Sequence, residues 1–81
     1  MQTPSLSERI ERYLRLKGEW ICGGEIQKLA AQINFEPQNA GRRCRELVSD
    51  GILEVEYRKS ERGAKVAWYR YRTGNQQLRL V

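Results

Sequence analysis

Up to residue 50 the large apolar residues of this chain recur every three or four positions, and from residue 53 they recur every second one. The first spacing is that of a helix with one buried face, and the second is that of a strand with one buried face. A chain whose period switches in this way must build helices first and a sheet afterwards, which makes it an α+β fold. With 81 residues there is material for a single modest core. The helices must therefore cover one side of the sheet.

The helical part divides into three. Ser5-Leu6-Ser7-Glu8 has the S-x-x-E spacing of a capping box, so a first helix starts there. Its apolar stripe is Leu6, Ile10, Tyr13 and Leu14, and the spacing predicts ion pairs Glu8/Arg12 and Glu11/Arg15 on the exposed side. Gly18 stops it, and Glu19-Trp20-Ile21-Cys22 reads as a short extended segment. Gly23-Gly24 reads as a turn into a second helix over about 25–32, with Ile26, Leu29, Ala30 and Ile33 on one face. After the break Asn34-Phe35-Glu36, Pro37 suits the first turn of a third helix, because its missing N–H needs no partner there. That helix is predicted to run to about Asp50, with Ala40, Cys44, Leu47 and Val48 facing inward. Gln38, Asn39, Arg42, Glu46 and Ser49 face outward, and Arg43 and Arg45 lie at the flanks. Gly41 costs this helix about 1 kcal/mol relative to alanine, which suggests a close approach to the second helix.

Beyond Gly51, Leu53, Val55 and Tyr57 alternate with Glu54, Glu56 and Arg58, and Ala67, Tyr69 and Tyr71 alternate with Trp68, Arg70 and Arg72. Two half-buried strands joined by the polar loop 59–65 make an antiparallel hairpin. Trp20, Tyr69 and Tyr71 are expected in the core, while Trp68 shares the outer face of the hairpin. The domain is expected to span 1–74. The tail 75–81, with Leu78, Leu80 and Val81, is left open between a flexible end, an added edge strand and a contact with a second subunit.

Charge sharpens this picture. Residues 1–37 hold five basic and five acidic side chains, whereas 38–81 hold ten basic and five acidic, so the whole net charge of +5 comes from the second half. Within 57–72, six basic residues oppose Glu61 alone. Such an asymmetry points to an anionic partner. The chain has no histidine and only Cys22 and Cys44, so no zinc cluster, cofactor site or catalytic constellation can be assembled from its residues. The two thiols are expected reduced, with a bridge between them left open by the sequence. No apolar run is long enough to span a bilayer, and the start Met-Gln-Thr-Pro-Ser lacks the layout of a signal peptide. A cytoplasmic protein without enzymatic activity is therefore expected.

The order helix, short strand, helix, helix, hairpin resembles the winged helix-turn-helix family over about residues 5–72. The segment from Gly41-Arg42-Arg43-Cys44-Arg45 through Gly51-Ile52-Leu53 looks like that family's recognition helix running into its wing. The chain is similar to small stand-alone winged-helix proteins of bacteria, phages and archaeal viruses. The resemblance implies duplex DNA binding, with helix 38–50 in the major groove and the wing 58–70 on the backbone or minor groove. Arg42 and Arg43 would then reach guanine or phosphate, Gln38 and Asn39 would reach adenine or phosphate, and Arg45 would reach phosphate. Arg58, Lys59, Arg62, Lys65 and Arg70 would supply the wing's cations. The partners so implied are double-stranded DNA and a second copy of the chain, with no membrane and no small-molecule ligand. A winged helix serving as a protein-interaction module, or in replication initiation or RNA binding, would share this pattern. Asn39-Ala40-Gly41 departs from the serine/threonine-rich start common in such helices.

Overall fold

Ser5 opens the first helix as its sequence predicts. In the computed structural model, which describes residues 5–72, its side-chain oxygen accepts the backbone N–H of Glu8 at 3.2 Å. Helix α1 spans Leu6–Lys17 and buries Leu6, Ile10 and Leu14. Gly18, in the left-handed region at φ 64°, closes it by donating its N–H to the Leu14 carbonyl. The predicted pairs Glu8/Arg12 and Glu11/Arg15 do not form, and these four side chains make no ion pair among the described residues. Solvated charges gain too little from pairing to give up their rotamer freedom.

Strand β1 is Ile21–Cys22, and α2 follows at once as Gly23–Gln32. The two glycines are thus the first turn of α2 and not a loop before it. Cys22 is its extended N-cap residue, at φ −72° and ψ 153°. A Cβ on Gly23 would sit 3.5 Å from the Ala67 carbonyl oxygen and 3.9 Å from the Tyr69 ring, ordinary contact distances that put the start of α2 against β3. Asn34 turns the chain at φ 67°, a conformation its short polar side chain tolerates. Helix α3 spans Pro37–Ser49 with proline in its first turn, and Ala40, Cys44 and Leu47 are its buried face. Gly41 meets only Arg45, whose guanidinium lies 3.6 Å from the position a Cβ would take. The expected close approach to α2 is therefore absent.

Gly51, at φ 79°, turns the chain out of α3. Strands β2, Leu53–Lys59, and β3, Lys65–Tyr71, then pair over their full length from Leu53↔Tyr71 to Lys59↔Lys65. The connecting loop is 60–64, closed by Ser60 N–H to the Ala64 carbonyl at 2.8 Å. With β1 paired to β3 through Ile21↔Tyr69 and Cys22↔Trp68, the antiparallel sheet has the order β1-β3-β2. Ile21, Leu53 and Tyr69 face the helices and join Ile10, Leu14, Ile26, Ala30 and Cys44 in one core. Each large aliphatic side chain buried there contributes about 1.5–3 kcal/mol relative to exposure.

Two sequence expectations are resolved by this register. Trp20 is not in the core. It is half-buried on the far side of the sheet, under the guanidiniums of Arg70 and Arg58. The strand alternation that sends Ile21 inward sends its neighbour outward. Both cysteines are free thiols, Cys44 in the core and Cys22 half-buried beside Trp68. The tail 75–81 lies outside the described residues.

Candidate nucleic-acid interface

Helix α3 turns Gln38, Arg42, Arg45, Glu46 and Ser49 to solvent, with Asn39 and Arg43 half-buried at its edge. Glu46 selects between the two neighbouring arginines. It takes Arg43, one turn away, at 2.6 Å, and Arg42 is left without an ion pair among the described residues. Gln38 donates to the Glu36 carboxylate at 2.8 Å. Asn39 and Arg43 line a hollow of about 260 Å³ between the start of α3 and Ser5, Leu6 and Phe35. The outward ridge of α3 that remains open is thus Arg42 and Arg45.

Tyr69 ties this helix to the hairpin. Burial is the main reason its phenol is held above the ordinary value, with the Cys44 thiol and the Tyr57 phenol adding to the shift and Arg45 opposing it. Tyr57 itself is 63% exposed. Sequence alternation puts it on the inner face, correctly, but the last four residues of β2 run past the helices and are all exposed. Its absence from the predicted site follows from that, since a strand longer than its cover is the signal that would have revealed it.

Further out on the same face, Lys59 and Lys65 stand directly opposite each other. Like charges in cross-strand register are destabilising, and no carboxylate relieves them, because neither lysine makes an ion pair among the described residues. Arg62 is exposed in the loop beyond them, also without an ion pair among those residues. Arg42, Arg45, Tyr57, Lys59, Lys65 and Arg62 therefore make up the open polar surface of α3 and the hairpin.

Arg58 and Arg70 go elsewhere. Both lie on the outer face of the sheet, Arg58 bonded to Glu56 at 2.6 Å and 4.5 Å above the Trp68 ring. Arg70 donates twice to the Glu54 carboxylate and stands 4.6 Å above the Trp20 ring. Of the ten side chains predicted from sequence, the structure thus leaves Arg42, Arg45, Lys59, Arg62 and Lys65 without an ion pair among the described residues, with Lys59 and Lys65 on the helix-facing side of the hairpin. Arg58 and Arg70 are turned to the other side and held there. No group of three or more histidine, cysteine or acidic side chains among the described residues could hold a metal ion. No helix among them is long and apolar enough to cross a membrane.

A helix pair α2–α3 behind a two-stranded wing, with a short strand after α1 completing the sheet, defines a winged helix-turn-helix domain. No family model and no curated protein matches the chain. Solved structures do. One from Methanosarcina mazei Go1, described as a possible transcriptional regulator, superposes with a TM-score of 0.75 at 14% identity, over 96% of this chain and 63% of its own. A candidate transcriptional regulator from Thermoplasma acidophilum gives 0.71 at 16% identity, over 90% of this chain and 71% of its own. The chain thus spans less than two thirds of the length of the first, and at such identities the likeness is one of fold.

Proposed function

We propose that this chain binds duplex DNA as a transcriptional regulator, with α3 in the major groove and the inner side and tip of the hairpin along the backbone. The observation that carries this reading is the uncompensated Lys59↔Lys65 pair, with Arg62 in the loop beyond it. A fold that bears the cost of opposed like charges on an exposed strand end is one whose partner supplies the missing negative charge. Arg42, freed by the Arg43–Glu46 pair, is the α3 side chain suited to a bidentate contact with a guanine edge. The two solved structures of the same fold, both described as candidate regulators, support the reading.

The test is a fluorescence-anisotropy titration of a labelled random duplex across a range of salt concentrations. Each phosphate contact contributes about −0.9 to the slope of log K against log salt, so a slope of several units is expected. Arg42→Ala should leave that slope nearly unchanged and lower the preference for a duplex selected from a random pool, by about 1–3 kcal/mol. A slope near zero refutes the proposal and favours a protein partner for the same cations.

A further inference from the structure

Strand β2 lies at the edge of the sheet, paired to β3 on one side and to no described segment on the other. Ser60 N–H bonds to the Ala64 carbonyl and Arg72 N–H to the Ile52 carbonyl, so the even-numbered positions are the ones that bond across to β3. The odd-numbered ones, among them Val55, Tyr57 and Lys59, turn their backbone N–H and C=O groups to the open edge. Glu56, Tyr57, Arg58 and Lys59 are all exposed, because this half of the strand runs past the helices. An open edge of this kind is a template for another strand unless its own charges repel one.

A second β2 laid antiparallel about a two-fold axis sets the residue at the axis against itself and pairs residues equally far on either side of it. Among axes inside the strand, those at Glu54, Glu56 or Arg58 put a charge on its own copy, and the axis at Val55 opposes Glu54 to Glu56. The axis at Tyr57 opposes no like charges. It sets Glu56 against Arg58 of the other copy twice over, Val55 against Lys59, and the exposed Tyr57 ring against itself. Glu56 and Arg58 already bond within one strand at 2.6 Å, so the four charges close into an alternating ring. They also occupy the positions not bonded across the new edge, where facing side chains come closest. The antiparallel arrangement sends the two helical layers to opposite ends of the joined hairpins, clear of each other. We infer that the open edge of β2 is the docking surface for a second copy of this chain, paired antiparallel about Tyr57 into one continuous sheet. The inference does not depend on nucleic acid, so it stands or falls apart from the proposed function.

Sedimentation velocity of the full chain over a range of concentrations tests it, with circular dichroism confirming that each variant is folded. The unaltered protein should show a reversible monomer–dimer equilibrium. Glu56→Arg and Arg58→Glu should each raise the dissociation constant about tenfold or more, since like charges then face each other on both sides of the axis. Combining the two in one chain restores opposite charges across the axis and within the strand, so association should return to within a few-fold of the original. Tyr57→Asp, which opposes a carboxylate to its own copy, should abolish it. A protein monomeric at every concentration overturns the inference. So does a dimer indifferent to the single exchanges or to Tyr57→Asp, or a double exchange that associates no more tightly than the single ones.

Discussion

The two sides of the hairpin are made by the same strands and contain the same kinds of residue, yet their charges have opposite fates. On the outer side Arg58 and Arg70 are each held between a carboxylate and an indole, so their charge is spent within the molecule. On the inner side Lys59 and Lys65 face each other with no counter-charge. The lesson is that the net charge of a segment overstates what it offers a partner. Strand parity decides which cations meet an acid, because Glu54 and Glu56 alternate onto the outer side alone.

The largest expected effect acts on the inner side. Burial in the core, opposed weakly by Arg45, pushes the Cys44 thiol up from 9.0 to about 12. The neutral thiol is the form the fold tolerates, so its contribution is intact below pH 9 and is lost as pH climbs towards 12. Across that window the unfolded chain releases a proton that the folded chain keeps, which lowers stability by about 1.4 kcal/mol per pH unit. Urea unfolding at pH 8 and pH 10.5 should show the decline, and Cys44→Ala should make it shallower. An equal decline in the variant would assign the loss to other groups.

Next in size is a direct contrast between the two sides. Arg62→Ala with Lys65→Ala should reduce the magnitude of the salt slope for duplex binding by about 1.8, at about 0.9 for each contact. Arg58→Ala with Arg70→Ala should leave the slope nearly unchanged and cost about 1 kcal/mol of stability, a modest figure because both ion pairs are partly exposed. If the second pair lowered the slope as much as the first, the division drawn here would be void. The smallest effect serves as a control on neither side. Gly41→Ala has room for its methyl group, so it should raise stability by about 0.5–1 kcal/mol, read as a higher melting temperature.

Much of this architecture was legible in the residues themselves. Ser5, Gly18, Pro37 and Gly51 mark helix boundaries because each satisfies or frees backbone groups locally, within one turn. The hairpin register followed from alternation for the same reason. What could not be read were choices set by distant neighbours. Gly23 starts α2 against β3, a contact between residues more than forty positions apart. Glu46 pairs with Arg43 and not with Arg42, and nothing in the spacing separates the two. The site suffered most from this, since the count of cations was visible while their partners across the sheet were not. Trp20 was misassigned to the core because a two-residue strand offers too little alternation to show which side faces in.

The placement of Trp20 and Trp68 has a practical side. They are the only tryptophans in the chain, and both sit beneath arginines on the face turned away from α3. Intrinsic emission is therefore a private optical channel for that face, insensitive by position to whatever docks against the helices. Far-ultraviolet ellipticity, dominated by α1, α2 and α3, reports the remainder. Melting curves recorded in the two channels divide the molecule without any label, and their coincidence or separation measures whether the sheet and the helices come apart as one cooperative unit.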